Sequence, residues 1–252
     1  MKMNDIKKEN GFTLIELLVS IAIIGILAAV FLPALARAKA STKTAKNQGN
    51  LKQIGTAASM YEKENDGRWV GVADSSGTQF FGVFKGAGQP VGFTNGPLSP
   101  FLAGEAKVWE DPAFYSFSRR ARGRTCSYGY NYHYLNRMEQ QGNWWDANYR
   151  YWWNGVADAE IINPARTVTF GDSARNWMGP LEENWFWTPP SQARAWPGWE
   201  TAYTHFRHKG RATVLWADVH VSMQLPVDRW PVNRDQLGYI CDMNDELLKL
   251  EK

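Results

Sequence analysis

Three side chains near the carboxyl-terminal end of the sequence, His208, Asp218 and His220, are of types that act in acid–base chemistry or bind metals. If residues 211–218 form one strand, a rise of about 3.3 Å per residue places His208 and Asp218 more than about 20 Å apart. That separation is too large for a shared ion. We therefore expect structural roles for these residues, although Asp172 could join one of them across a sheet.

Motifs of catalysis are absent from the sequence. It contains no G-x-S-x-G, H-E-x-x-H, P-loop or dinucleotide fingerprint, so we do not expect an enzyme. Acids near the carboxyl terminus lack the spacing of an EF-hand, so no metal or other cofactor is expected and calcium is kept only as an alternative. These acids are Asp228, Asp235, Asp242 and Asp245.

Composition divides the 252 residues into two parts. All 13 tryptophans follow residue 66, so we place the boundary near Asp66 and Gly67.

The net charge of +3 comes from 28 basic and 25 acidic side chains that are spread along the chain, and no basic block is present that could bind a run of phosphates. We therefore expect no nucleic-acid partner.

The two cysteines, Cys126 and Cys241, lie far apart in the sequence. They form neither a C-x-x-C pair nor a cluster with histidine, which excludes a zinc knuckle and a redox motif. In an oxidising compartment they could form one disulfide.

An uncharged stretch runs from Leu17 to Ala36 behind a polar leader. As a helix its roughly 20 residues would be about 30 Å long, which is the thickness of a hydrocarbon core. A secretory signal peptide is the alternative, since residues 34–36 and 36–38 fit the small-x-small pattern of signal peptidase. The stretch is longer than the apolar region of such a peptide, which favours a retained anchor.

The junction before this stretch, GFTLIELLV at residues 11–19, resembles the cleavage and methylation site of type IV pilins and type II secretion pseudopilins. The resemblance implies that a prepilin peptidase cuts after Gly11, on the cytoplasmic face, and methylates Phe12. The apolar helix then stays on the mature protein. The resemblance also implies that Glu16 pairs with the amino terminus of a neighbouring pilin or pseudopilin subunit during assembly.

Two residues of this helix have further interpretations. The spacing Thr13-x-x-Glu16 fits a capping box, which is an alternative role for Glu16. Pro33 falls where many members of the family have a proline that bends the helix. Because proline removes one helical hydrogen bond, we expect a kink there.

The resemblance implies a single-pass protein of the inner membrane with an extracytoplasmic, periplasmic carboxyl-terminal domain. We divide the chain into a leader (1–11), a transmembrane and spine helix (12–66) and a head (67–252). The flanking charges do not favour this orientation, because four cations follow the apolar stretch. We give the peptidase motif more weight. The four cations are Arg37, Lys39, Lys43 and Lys46.

The helix is predicted to continue beyond the membrane as an amphipathic segment. Apolar residues recur there at spacings of three and four, which indicates a stripe that packs on a sheet. Gly49 weakens the helix and could allow a break, whereas Asp66 and Gly67 should end it. The stripe consists of Leu51, Ile54, Ala58 and Tyr61.

The head is predicted to be α+β with an antiparallel sheet, giving a pilin-like fold. Runs rich in β-branched and aromatic residues indicate the strands. We predict them at residues 79–84, 125–134, 167–170, 212–216 and 219–223. The last two should form a hairpin, with Ala212, Val214 and Trp216 on one face of the first strand and Thr213, Leu215 and Ala217 on the other.

The segment from His208 to Asp218 resembles a carboxyl-terminal H-x9-D-G motif in a group of pseudopilin-like proteins, and residues 164–173, which include Asp172, resemble another stretch of that group. Here Val219 replaces the glycine of the motif. A β-branched residue disfavours positive φ, so we expect a turn wider than the tight two-residue type. Several pseudopilins carry calcium near the end of the chain.

The tryptophans leave an alternative function open. Rings exposed side by side could stack on a polysaccharide, whereas packing in the core is the interpretation that we favour. The six in question are Trp144, Trp145, Trp152, Trp153, Trp185 and Trp187. The resemblance of the amino-terminal junction implies a structural subunit of a type II secretion or type IV pilus-like assembly. The alternative is a membrane-anchored or secreted carbohydrate-binding protein.

Overall fold

The computed structural model describes residues 13–73, 78–83, 92–114, 126–141, 150–176, 181–195, 203–227, 232–233, 235–242 and 244–250. They form the α+β fold predicted from the sequence, with a long amino-terminal helix packed against an antiparallel sheet. The chain divides into two compact units, Met1–Thr42 and Lys43–Lys252.

Helix α1 (Leu14–Glu64) is continuous through Pro33 and Gly49, so the break that Gly49 could allow does not occur. The helix ends where it was predicted to end. Asp66 and Gly67 have φ angles of 55° and 69°, and the Gly67 N–H donates to the Glu62 carbonyl at 2.9 Å. The kink at Pro33 stays a prediction.

In the first unit, α1 presents apolar side chains that are not covered by the protein. It is the one helix of the described residues that is long and apolar enough to cross a membrane. Its most apolar window has a mean hydropathy of 2.8, and none of that window is buried. These properties are typical of the anchoring helix of a membrane protein.

In the second unit, α1 packs on the sheet along the predicted stripe. Leu51, Ile54 and Ala58 are fully buried, and Tyr61 meets the Phe101 ring edge-on at 6.2 Å. Gly55 is needed for this close packing, because a Cβ there would lie 2.7 Å from Leu215 Cδ1. The lysines on the opposite side of this segment, Lys46, Lys52 and Lys63, are exposed.

The described part of the head contains eleven strands and two short α-helices, besides short 3-10 helices. The strands are β1 (Thr78–Gln79), β2 (Gly82–Val83), β3 (Tyr128–Tyr130), β4 (Asn136–Gln141), β5 (Arg150–Gly155), β6 (Val168–Arg175), β7 (Glu182–Glu183), β8 (Tyr203–His205), β9 (Ala212–Trp216), β10 (Val221–Gln224) and β11 (Leu237–Gly238). The helices are α2 (Tyr132–Leu135) and α3 (Pro190–Ala195).

Strand β6 lies at the centre of the main sheet. The order is β10-β9-β6-β8-β11, and β3 and β7 also pair with β6. Every pairing between these strands is antiparallel. Two hairpins, β1–β2 and β4–β5, form separate small sheets.

Strand β9 has the predicted bounds and the predicted faces. Ala212, Val214 and Trp216 lie in one core cluster, whereas Leu215 and Ala217 belong to another. Both faces of β9 are buried, since α1 covers the Leu215 face. The strand predicted at residues 79–84 is wrong, because residues 78–83 form the tight β1–β2 hairpin.

Four residues, 217–220, separate β9 from β10, so the turn is wider than two residues, as predicted. The Trp216 N–H donates to the His220 carbonyl at 3.0 Å. Val219 nevertheless adopts φ 68°, which the reasoning from its β-branch did not anticipate. The Val219 side chain packs on the core beside Gly55, and Lys52 Nζ donates to the Val219 carbonyl at 2.7 Å. These contacts hold the unfavourable backbone conformation in place.

Candidate functional site

The amino-terminal motif has one described part, the start of α1. The Thr13 N–H and hydroxyl donate to Glu16 Oε2 at 2.9 and 2.8 Å, and the Glu16 N–H donates to Thr13 Oγ1 at 3.3 Å. These bonds form a capping box that satisfies N–H groups at the helix end. Gly11 and Phe12 lie outside the described residues.

A second candidate site is a buried group of five polar side chains, which we call the polar hub: Asn47, Asp111, Asp172, Arg207 and His208. Each is at most 7% exposed. The hub joins α1, the segment after Trp109, strand β6 and the turn before β9. Polar groups are rarely buried together unless they satisfy one another, so the contacts within the hub decide what it can do.

Local structure positions His208. The His208 N–H donates to the Arg211 carbonyl at 3.0 Å, and the Arg211 N–H donates back at 3.2 Å. Lys209 and Gly210 between them have φ angles of 56° and 75°. These values fit a two-residue primed turn, for which Gly210 is suited by its lack of a Cβ. The turn sets His208 on the hub side of the chain as it enters β9.

Asp172 enters the hub from the central strand β6. Its Oδ2 accepts the Thr213 N–H of β9 at 2.6 Å, and its Oδ1 accepts a hydrogen bond from Asn47 Nδ2 at 2.9 Å. The carboxylate therefore bonds to the main chain of the sheet on one side and to helix α1 on the other.

Arg207 is the cation of the hub. Its Nε lies 3.1 Å from Asp111 Oδ2, and its Nη2 lies 3.6 Å from Asp172 Oδ1. Nη2 also donates to the carbonyls of Ser127 and Ser173 at 2.9 and 3.2 Å. One guanidinium thus lies between two buried carboxylates and ties them to the main chain of the sheet.

His208 joins α1 to the carboxylates. Its Nε2 lies 3.0 Å from Asp111 Oδ2 and 3.5 Å from Asp172 Oδ2. On the helix side, its Nδ1 lies 3.0 Å from Thr44 Oγ1, and Nε2 lies 2.8 Å from Asn47 Nδ2. Both ring nitrogens are therefore within hydrogen-bonding distance of α1.

Asn47 is the second contact between α1 and the hub. Besides bonding to Asp172, its Nδ2 donates to Thr213 Oγ1 at 3.0 Å, and its Oδ1 accepts the Tyr128 hydroxyl at 2.6 Å. One turn further along α1, Asn50 donates to the same Tyr128 oxygen at 3.2 Å. The sheet therefore holds this part of the helix by directional bonds as well as by apolar packing.

Burial shifts the protonation of groups in and around the hub. It raises the pKa of the Asp172 carboxyl, against the opposing effects of Arg207 and His208. Burial also raises the pKa of Tyr128 well above its usual value, so the phenol stays neutral. The nearby His205 has its pKa lowered by burial and by the charge of Arg207.

The polar hub contains side chains of the types that bind metal ions, but it also contains a buried cation. Ligand atoms of Asp111, Asp172 and His208 lie within 4.8 Å of one another. However, Arg207 already lies 3.1 and 3.6 Å from the two carboxylates. A divalent cation would therefore adjoin a buried guanidinium, so the side chains present favour an ion-pair network over a metal centre.

Asp218 and His220 lie elsewhere, on the exposed β9–β10 turn. Asp218 Oδ1 is 2.5 Å from His220 Nδ1 and also accepts the His220 N–H at 3.1 Å. The structure thus brings Asp172 to His208, whereas Asp218 stabilises its own turn.

The disulfide that the sequence allows between Cys126 and Cys241 is not formed. The two residues lie in different clusters of the core, Cys126 beside Tyr128 and Cys241 with Phe206. Cys126 Sγ donates to the Tyr128 carbonyl at 3.1 Å. Burial raises the pKa of both thiols, which keeps them protonated.

The described tryptophans are packed rather than displayed as a flat platform. Trp187 is 3% exposed, and its ring lies where Cβ atoms of Gly129 and Gly171 would be, at 2.7 and 2.6 Å. Trp153 and Trp185 are half-buried and pack against the core. The side chain of Trp152 and the residues Trp144 and Trp145 lie outside the described part.

Sequence reasoning missed three members of the hub: Asn47, Asp111 and Arg207. For Asn47 a signal existed, since Asn47 and Asn50 lie four residues before Leu51 and Ile54 and so place two polar side chains on the face of the apolar stripe. Asp111 and Arg207 gave no such signal, because their partners are distant in the sequence and are brought together only by the sheet.

Comparison with known proteins places the similarity at the amino terminus. Residues 6–32 match the family described as the prokaryotic N-terminal methylation motif. Over 59 residues, 23% of this chain, the sequence is 42% identical to the type IV major pilin protein PilA of Myxococcus xanthus (strain DK1622), covering 27% of that protein.

A second relative is the type II secretion system core protein G of Pseudomonas aeruginosa, 37% identical over 59 residues. That stretch is 23% of this chain and 42% of the relative. The chain thus spans less than half the length of either relative. No solved structure is significantly similar to the chain.

Proposed function

We propose that this chain, a pilin-like or pseudopilin-like protein with an amino-terminal methylation motif, is a structural subunit of a type IV pilus-like or type II secretion-like assembly. The proposal depends mainly on one observation: the methylation motif runs directly into a continuous apolar helix that the protein itself does not cover. A motif for processing followed by such a helix is what a membrane-held subunit awaiting assembly requires.

In this proposal the chain works by assembly rather than by catalysis. Residues 1–11 are a cytoplasmic leader, residues 12–66 form the spine, and residues 67–252 form a head on the periplasmic side of the inner membrane. A prepilin peptidase and neighbouring subunits are its partners. The head contributes a surface, while α1 provides the contacts between subunits.

Processing gives the first prediction. In cells with a prepilin peptidase, the mature protein should begin at Phe12, and that residue should carry a methyl group. Intact-mass and amino-terminal analysis measure both. Gly11→Val should block cleavage, whereas Gly25→Ala should not, because Gly25 has no neighbour within 4 Å of an added Cβ.

A mature terminus at Arg37 or Lys39 would contradict the proposal. It would mean that signal peptidase had removed the apolar helix and that the protein is simply exported.

Glu16 gives the second prediction. Glu16→Ala should leave cleavage and insertion intact but impair incorporation into a fibre, because it removes the intramembrane charge without shortening the helix. Crosslinking between subunits in membranes measures incorporation.

Glu16→Gln separates the two roles of Glu16. Glutamine can still accept the Thr13 N–H in a capping box but has no charge. We expect it to fail in assembly as alanine does. Normal assembly of Glu16→Gln would instead leave capping as the role of Glu16.

A further inference from the structure

The polar hub holds an unequal number of buried charges. Asp111 and Asp172 are acidic, Arg207 is a permanent cation, and His208 is neutral or cationic, with side chains that are 0–1% exposed. With His208 neutral and both acids ionised, one negative charge has no counterpart among the side chains that the structure describes. Burying such a charge is costly, so the hub is balanced only when it holds one additional proton.

The other titratable groups that face the hub do not supply this charge. Tyr128 on β3 and His205 on β8 are held neutral by burial. Glu183 on β7 accepts the Ser127 hydroxyl at 2.7 Å and adds a further acid near the hub. On α1, Lys46 is exposed and Lys43 is half-buried, and among the described residues the ion pairs of Asp111 and Asp172 are made with Arg207 and His208. Within the described part of the chain, the additional proton is therefore held by the hub itself.

The same hub holds one segment of α1. Residues 43–50 meet the hub through Thr44 and Asn47, which bond to His208 and Asp172, and Asn50 at the end of the segment donates to the Tyr128 hydroxyl and the Glu110 carbonyl. The next turns are held differently, since Leu51, Ile54 and Ala58 are buried in an apolar core. Loss of the hub bonds would therefore release residues 43–50 while residues 51–64 stay packed.

We propose that the polar hub is a proton-linked latch, which holds residues 43–50 of α1 on the head while one proton is present and releases them when that proton is lost. Release lets water reach the carboxylates, which removes the cost of the unbalanced charge. The latch does not depend on the proposed function, since it concerns only the contact between α1 and its own head.

The sign of the linkage follows from Asp172. Its pKa is raised in the folded protein, so the docked form binds the proton more tightly than the released form. The contribution of this group to docking is complete below the carboxyl's ordinary pKa and is lost as pH rises through the raised value. A rise in pH through the raised pKa of Asp172 should therefore open the latch.

Hydrogen exchange of the full chain in detergent micelles, followed by mass spectrometry, tests the latch. Between the ordinary pKa of a carboxyl and the raised pKa of Asp172, the exchange rate of the amides of residues 43–50 should rise about tenfold per pH unit, which is the slope for one proton. This rate is first corrected for the pH dependence of exchange in an unfolded chain. Residues 51–64 serve as an internal control and should show no such rise. An equal pH response in both segments, or none in residues 43–50, would overturn the proposal.

Two variants distinguish a proton-dependent contact between α1 and the head from a contact that is independent of pH. Asp111→Asn balances the charge without a proton and keeps the oxygen that accepts the Ala113 N–H at 2.7 Å, so residues 43–50 should stay protected as pH rises through the raised pKa of Asp172. His208→Gln weakens the contact with Thr44 but leaves Asp111, Asp172 and Arg207 in place, so protection should fall while the pH response of residues 43–50 remains. If both variants loosened the segment equally at all pH values, the hub would be only a structural contact.

A third variant, Asn47→Ala, tests the latch even if Asp111→Asn does not fold. It removes the bonds of α1 to Asp172 and Thr213 but leaves all four ionisable side chains in place. Exchange of residues 43–50 should then be fast and should no longer depend on pH. Persistence of the wild-type pH response in Asn47→Ala would also overturn the proposal.

Discussion

Arg207→Met should destabilise the head by about 3–5 kcal/mol, the usual cost of removing one partner from a buried ion pair. The guanidinium lies 3.1 and 3.6 Å from two carboxylates that have no access to solvent. Without it, both acids must be buried without a cation or take up protons. Urea unfolding of the full chain in micelles, followed by tryptophan fluorescence, measures the loss.

Arg137→Met is the matched control. Arg137 pairs with Glu160 at the surface, where its side chain is 60% exposed. Such pairs contribute little, so the control should lose less than about 1 kcal/mol. If Arg207→Met lost no more than this control, Arg207 could not be the cation that balances the hub.

Gly155→Ala should destabilise the head by about 3 kcal/mol or more, at or above the upper end of the range for overpacking. A Cβ at residue 155 would lie 1.6 Å from the Trp69 carbonyl oxygen. That main chain cannot easily move away, because the Trp69 N–H donates to the Val156 carbonyl at 2.9 Å. The clash is with backbone, so no side-chain rotation relieves it.

Gly49→Ala gives the comparison within the same protein. Gly49 is an exposed helical residue with nothing within 4 Å of an added Cβ. Alanine there should stabilise α1 by up to about 1 kcal/mol. Thermal unfolding of the two variants should therefore shift in opposite directions, and a loss of stability in both would show that space at Gly155 is not the cause.

The parts of the fold that depend on local pattern could be predicted from the sequence. The apolar stripe of α1 shows at helical spacing, and Asp66 and Gly67 supply the positive φ angles that end the helix. Strand β9 was found with its faces because alternation along one strand needs no knowledge of its partners. The β4–β5 hairpin was missed, since its strands lack that alternation.

The two candidate sites also differ in how far their residues are separated in the sequence. The processing motif lies in a few consecutive residues and is readable without a structure. The polar hub gathers Asn47, Asp111 and Arg207 from segments that are far apart in the chain. Only Asp172 and His208 were suspected, because Asp172 could join one of the carboxyl-terminal candidates across a predicted sheet. Charge balance in a buried cluster depends on all its members, so sequence reasoning could not assess it.

The capping box at the start of α1 bears on how subunits could exchange partners. The Glu16 carboxylate accepts both Thr13 hydrogen bonds at Oε2, which leaves Oε1 for the amino group of a neighbouring subunit in the proposed assembly. In a lipid interior, an amide left without an acceptor costs several kcal/mol, and water is not at hand to replace it. The cap and the proposed subunit contact can therefore exist together, with one carboxylate oxygen for each. A helix end that keeps its own cap needs no rearrangement before a second chain arrives.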